Sequence, residues 1–271
     1  MPAIKKETTG GTLLVAFLLC IVCSVIVAGS AVVLKPAQTA NKQLDRKKNV
    51  LSAAGMLPAG ASDAASIDAL FGRFQVRMVD LDTGSYLDAQ TLAERPELDP
   101  QRYDQVKAAK DTSLSAALPA DEDIASIKRR EKYAQVYLLE EGGELEKIVL
   151  PIRGYGLWST LYGFLVLEGD ARTVVGLAYY DQKETPGLGG EVDNPKWKAL
   201  WPGKQVFDAN GQVDISVAKG AVDPSSANAA HRIDGLSGAT LTSKGVENML
   251  HFWLGEHGFG PYLNRIRGGQ A

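Results

Sequence analysis

Residues 133–180 read YAQVYLL-EEGGE-LEKIVLPI-RGYGLWST-LYGFLVL-EGDART-VVGLAYY, and the fold turns on how this stretch is taken. The runs 133–139, 145–152, 161–167 and 174–180 are rich in Val, Ile, Leu, Tyr and Phe, the residues that suit a pleated strand. Glu141-Gly142-Gly143 and Glu168-Gly169-Asp170 supply turns between them. Short β-prone runs joined by glycine turns predict an antiparallel meander.

Working outward, 194–200 reads as a helix, 212–217 as a strand, and 243–254 as an amphipathic helix with Val246, Met249, Leu250 and Trp253 on one side. Upstream, 95–132 is charged and polar around an Ala-rich patch at 114–120, which suggests a helix plus surface connection. Phe74, Val76 and Met78 alternate with polar residues up to the Asp82-Thr83-Gly84 turn, as in a strand. Ser62 is the expected cap of a short helix reaching Phe71, and 37–54 reads as a helix closed by Gly55.

The run 11–34 has 24 residues without a charge, enough at about 1.5 Å per residue to cross a hydrocarbon core of about 30 Å. It exceeds the usual core of a cleaved secretory signal, although Lys5, Lys6 and Ala28-Gly29-Ser30 resemble parts of one, so a retained transmembrane helix is expected. Direction stays open on charge alone. Lys5 and Lys6 precede the span while Lys35, Lys42, Arg46, Lys47 and Lys48 follow it, which favours a cytoplasmic domain; yet long domains translocate largely regardless of such counts. The expected class is α+β, a twisted, largely antiparallel sheet with packed helices plus one N-terminal transmembrane helix. The expected division is a tail at 1–10, the span at 11–34, a juxtamembrane helical and mixed region at 35–132, and a cofactor domain at 133–271.

Composition narrows the chemistry. With 29 basic and 32 acidic residues the net charge is −3, leaving no electrostatic footprint for nucleic acid. Cys20 and Cys23 both lie in the apolar span, so the remainder has no thiol for a disulfide, zinc site or iron–sulfur cluster. The two cysteines, three apart on one helix face, read as small apolar residues in a lipid or helix contact. His231, His251 and His257 lack metal-ligand spacing, and there is no dinucleotide fingerprint, phosphate-binding loop or zinc-protease motif. Redox chemistry here requires an organic cofactor.

Three stretches stand apart. Gly154-Tyr155-Gly156-Leu157-Trp158 combines permissive backbone with a flat apolar wall. Glu184-Thr185-Pro186-Gly187-Leu188-Gly189-Gly190 is a rigid turn followed by glycines whose N–H groups are free to face a ligand. Each alone also reads as a plain turn. Asp234-Gly235-Leu236-Ser237-Gly238-Ala239-Thr240-Leu241-Thr242-Ser243 runs straight into the amphipathic helix, where free N–H groups and the helix dipole favour an anion. Thr242 and Ser243 are the expected helix caps.

Asp-x-x-Ser-Gly-Ala-Thr-x-Thr resembles the flavinylation motif of the FMN-binding domain family, and the two upstream stretches resemble that family in the expected order. With a single N-terminal anchor, the whole is similar to the C-subunit family of sodium-translocating NADH:quinone oxidoreductases. The G subunits of Rnf-type electron-transport complexes share the motif, but the long region before it favours the C subunits. The resemblance implies FMN joined through its phosphate to Thr240, with Ser237, Gly238 and Ala239 giving backbone approach. Gly156, Leu157 and Trp158 would border the ring with Glu184, Thr185, Pro186, Gly187, Leu188 and Gly189, and Asp234 and Thr242 would complete the site. Asp234 would serve a flavin transferase that uses FAD and Mg²⁺, or cap the turn.

The same resemblance implies a one-electron carrier between an iron–sulfur centre and a second covalent FMN on neighbouring membrane subunits. The domain would lie on the periplasmic side of a bacterial cytoplasmic membrane. No turnover of its own and no metal site are expected. A membrane-anchored reductase with diffusible FMN, or a scaffold without cofactor, are the alternatives.

Overall fold

Every run of 133–180 is a strand in the computed structural model, which describes residues 8–58 and 63–269. The strands are β1 (Phe74–Asp80), β2 (Ser115–Ala117), β3 (Arg129–Glu131), β4 (Tyr133–Glu141), β5 (Glu144–Tyr155), β6 (Thr160–Glu168), β7 (Val174–Asp181), β8 (Ser216–Val217) and β9 (Arg232–Ile233). The helices are α1 (Thr9–Ala53), α2 (Ala64–Phe71), α3 (Ala89–Glu94), α4 (Gln105–Ala108), α5 (Pro195–Lys198), α6 (Thr240–Leu254) and α7 (Gly260–Arg267). The main sheet has the order β1-β4-β5-β6-β7 with every neighbouring pair antiparallel. Gly142 and Gly143 turn the β4–β5 hairpin at φ of +64° and +89°, angles that glycine reaches without steric cost.

The strands carry long apolar runs because both faces of the sheet are covered. On one face Val136, Leu138, Ile148, Leu150, Leu165 and Leu177 join Val246, Met249, Leu250 and Trp253 of α6 and Tyr262 of α7 in one core. Fully burying each large side chain contributes about 1.5–3 kcal/mol. On the other, the ring of Phe71 lies 5.6 Å from Tyr137, and Phe164 lies 5.2 Å from Tyr180. The Arg46 guanidinium sits 5.6 Å from the centre of the Phe164 ring. Gly176 belongs to this packing: a β-carbon there would come within 2.4 Å of the Ala53 carbonyl oxygen.

Two units divide the chain, Met1–Asp45 and Arg46–Ala271. Helix α1 is long and apolar enough to cross a membrane, and residues 12–34 are exposed along it. The continuation is helical as far as Ala53, one residue short of the expected end, with Pro36 inside and Gly55 at φ +68° beyond it. Cys20 and Cys23 are exposed free thiols on α1. Lys5, Lys6 and Ser62 lie outside the described residues; Asp63 caps α2 by accepting from the Ser66 N–H at 2.8 Å.

Several expectations are corrected. Helix α6 begins at Thr240, three residues before the expected start, and Thr242 and Ser243 lie inside its first turn rather than capping it. Within the 114–120 patch, Ser115–Ala117 is a strand that pairs with Arg129–Glu131 rather than part of a helix. The helical parts of 95–132 shrink to α4 and one 3₁₀ turn. The 194–200 helix contracts to α5, and the 212–217 strand to β8. Helix α7 was not anticipated. Strand β1 pairs with β4, so the main sheet spans the expected division at 133.

The stretch before β4 is no surface connection either, since Glu131 is fully buried. It accepts from Arg153 at 2.7 and 2.5 Å in a two-pronged pair, and also from Gln105. Arg153 donates further to the Arg129 carbonyl at 3.0 Å and lies 5.3 Å from the centre of the Trp253 ring. Burial works against the Arg153 charge, but Glu131 outweighs it and keeps the guanidinium more firmly protonated than usual. Truncating one partner strands a buried charge, so Arg153→Met is expected to lower stability by about 3–5 kcal/mol. Urea unfolding of Arg153→Met beside Glu131→Leu/Arg153→Met checks this, with the double variant recovering most of the loss.

Candidate functional site

Thr240 is the first residue of α6, and Ala239 before it offers no side-chain cap. The first-turn N–H groups of a helix have no partner within it and carry the positive end of its dipole. Thr240 is exposed there, whereas Thr242 is fully buried and Ser243 nearly so. Ser243 turns back on the preceding loop, its Oγ accepting from the Leu236 N–H at 3.0 Å.

Thr242 points to Glu184, donating to Oε2 at 2.8 Å. The same carboxylate accepts from the N–H groups of Leu157 at 3.2 Å, Trp158 at 3.0 Å and Ser159 at 3.0 Å, and from the Ser159 hydroxyl at 3.2 Å. Glu184 is 5% exposed. Burial pushes its carboxyl pKa up, but bonds from Trp158, the Thr242 hydroxyl, Ser159 and Leu157 prevail and hold it below the ordinary 4.5.

Two glycines make room for this cluster. A β-carbon on Gly156 would come within 2.7 Å of Glu184 Oε1, and one on Gly189 within 2.5 Å of Thr242 Oγ1 and 2.6 Å of Glu184 Oε2. Gly187 supplies the positive φ of its turn, +77°, and the Thr185 carbonyl closes that turn by accepting from Leu188 and Gly190. Thr185, Pro186, Gly187 and Leu188 are all exposed. Gly238, at φ +70°, sits so close to Leu188 that a β-carbon would meet its Cδ2 at 3.1 Å. The three stretches singled out in the sequence thus meet at the N-terminus of α6.

Asp234 stands apart from the helix start and organises a loop: its Oδ1 accepts from the Val222 N–H at 2.9 Å, and its carbonyl from Trp197 Nε1 at 2.8 Å. An open cleft of about 510 Å³ runs past it, lined by Gly187, Glu191, Asn194, Trp197 and Ser237 among others. Outside α1, the exposed large apolar side chains among the described residues are Ile124, Tyr155, Leu157, Trp158, Leu188 and Leu241. Five of the six belong to the three stretches that meet at this helix start, and the sixth, Ile124, precedes Ala125, whose carbonyl accepts from the Tyr155 N–H at 2.8 Å.

Sequence reasoning missed Ser159 and Ile124, and it quoted Tyr155 and Leu241 within its stretches without giving either a role of its own. Ser159 directly follows the Gly154–Trp158 stretch. Nothing local marks Ile124. The histidines serve packing: His251 Nε2 meets the Ile215 carbonyl at 2.7 Å and His231 Nδ1 the Gln205 carbonyl at 2.9 Å. No cluster of metal-ligating side chains occurs among the described residues.

The family model described as FMN-binding domain matches residues 156–255. The chain is 56% identical over 268 residues to the C subunit of the Na(+)-translocating NADH-quinone reductase of Pseudomonas aeruginosa, covering 98% of this chain and 99% of that one. The chain belongs to this C-subunit family. Its Pasteurella multocida relative is 47% identical over 98% of this chain and 97% of its own. A crystal structure of Shewanella oneidensis NqrC has 34% sequence identity and a TM-score of 0.72, covering 84% of this chain and 99% of that chain. Membership makes the chain a subunit of an oxidoreductase complex, and it agrees with the α+β architecture found above.

The low pKa of Glu184 has a sign that can be measured. A carboxyl depressed on folding contributes stability in full above its unfolded value, and loses it as pH falls through the folded value. The stability gap between the native chain and Glu184→Gln is therefore expected to be full at neutral pH and to close as pH drops below 4.5. Urea unfolding across that range checks this; a gap independent of pH would place the loss elsewhere than in the carboxylate charge.

Proposed function

We propose that this chain is a membrane-anchored electron carrier with FMN bound through its phosphate to Thr240, working inside a sodium-translocating NADH:quinone oxidoreductase. The observation that carries this reading is the pairing of the exposed Thr240 hydroxyl at a helix N-terminus without a side-chain cap with the exposed apolar side chains of Tyr155, Leu157, Trp158, Leu188 and Leu241 in the stretches that meet there. The residues fit the group. The α6 N-terminus, with Ser237, Gly238 and Ala239 ahead of it, suits a phosphate. Trp158, Leu157 and Leu188 offer a flat apolar border for a ring, with Gly156, Glu184, Thr185, Pro186, Gly187 and Gly189 shaping its frame. FMN supplies the electron-carrying chemistry, and the protein sets its surroundings by packing, hydrogen bonds and charge.

Thr240 Oγ would hold the FMN phosphate in a phosphoester, which a flavin transferase using Mg²⁺ would make from FAD with AMP as the leaving group and the hydroxyl proton taken by a base of that enzyme. Asp234, holding the loop at Val222, keeps the motif in shape for this partner. Helix α1 anchors the chain in the cytoplasmic membrane with residues 46–271 on the periplasmic side. Its neighbours there are an iron–sulfur donor and a second FMN-carrying subunit.

Thr240→Val keeps the side-chain shape and removes the nucleophile, so flavin fluorescence on a denaturing gel is expected to vanish while the protein stays folded. Thr242→Val takes one donor from Glu184, costs about 1–3 kcal/mol and keeps the fluorescence. Flavin released from the native chain on denaturation would favour the diffusible-FMN reductase instead. Protease added to intact spheroplasts is expected to digest the large domain; protection until lysis would reverse its placement.

A further inference from the structure

We infer that Glu184 is the positioning residue of the flavin site: its carboxylate binds the backbone of Leu157, Trp158 and Ser159 to Thr242 on α6, making the aromatic wall and the attachment residue one rigid unit. This rests on the function proposed above and adds to it how the site is held in shape.

Three consecutive backbone N–H groups that converge on one point form a concavity that elsewhere captures anions. Here the chain fills it with its own carboxylate, at 3.2, 3.0 and 3.0 Å from the three nitrogens. That leaves the α6 N-terminus as the place for a phosphate and gives the 156–159 loop a different task. Trp158 shows why the loop needs an anchor. Its side chain is 68% exposed, so packing does not fix it, and its orientation depends on its backbone. The backbone in turn depends on Glu184, which reaches α6 through the Thr242 hydroxyl at 2.8 Å. Gly156 and Gly189 keep this arrangement possible, since a β-carbon on either would enter the space of the carboxylate. A purely structural brace would raise stability and leave the surroundings of the flavin alone; a positioning residue governs the distance from Trp158 to the group on Thr240.

The test uses the full chain, with and without flavin. In the flavinylated protein, Trp158 is expected to quench flavin fluorescence at short range, so Glu184→Gln and Trp158→Phe are both expected to lengthen the fluorescence lifetime. The double variant is expected to show no lifetime beyond that of Trp158→Phe. In the unflavinylated chain, the amides of 157–159 are expected to exchange at least about tenfold faster in Glu184→Gln, the factor that one lost hydrogen bond allows. Gly189→Ala is expected to reproduce both effects by displacing the carboxylate. Should these variants fail to fold, the native chain still answers: its lifetime is expected to lengthen reversibly as pH falls below the ordinary glutamate range. An unchanged lifetime and unchanged 157–159 exchange in folded Glu184→Gln, or a native lifetime flat with pH, would overturn the inference. Absence of covalent flavin from the native chain would defeat the proposed function alone, because the amide-exchange result stands without flavin.

Discussion

Helix α6 touches the end of β5 at two points, and at each of them one of the two elements presents a glycine. One added at Gly154 would lie 2.6 Å from Met249 Cβ, and one added at Gly245 would lie 2.4 Å from the Tyr155 carbonyl oxygen. The contact is pinned by Trp253, whose indole N–H donates to the Arg153 carbonyl at 2.7 Å. Helix and strand end therefore approach backbone to backbone, closer than ordinary side chains allow. The N-terminus of α6 consequently lands beside the loop leaving β5, within reach of Glu184. Displacing the helix by the width of a methyl group would separate Thr242 from the carboxylate and Thr240 from the 156–159 loop.

The segment before β4 reinforces the same corner. Ser126 and Lys128 hold positive φ angles of 53° and 65° without being glycine, in a turn where Asp123 accepts from the N–H groups of Ile127 and Lys128. That turn presents the Ala125 carbonyl to the Tyr155 N–H, while Glu131 holds Arg153 two residues earlier on β5. A stretch with no recognisable motif thus braces the strand end from which the site is built.

Much of this was legible in the sequence, and the reasons for the gaps are specific. The meander was readable because glycine turns and apolar runs are local signals, and the periodicity of Val246, Met249, Leu250 and Trp253 marked the helix that covers it. The start of α6 was misplaced because Thr242 and Ser243 are residue types that favour caps, whereas the fold turns both side chains to long-range and loop partners and begins the helix at Thr240. Glu184 was expected beside the ring through the family resemblance, but its bonds to the 157–159 backbone and to Thr242 were not readable, since those partners lie up to 58 positions away. The buried Glu131 looked like a surface charge, because only the fold reveals that Arg153 meets it. In both cases the missing information was a long-range pairing of a carboxylate, which no local pattern encodes.

Thr240 and Thr242 are the same residue type two positions apart, yet a helix rotates about 200° over that interval. One hydroxyl consequently faces solvent while the other is sealed against Glu184. An enzyme that modifies the folded chain meets a single hydroxyl of the two, and on an unfolded chain it would meet both. For the attachment proposed at Thr240, helical phase would supply the regiochemistry, and a modification confined to that residue would also record that α6 had docked before the chemistry took place.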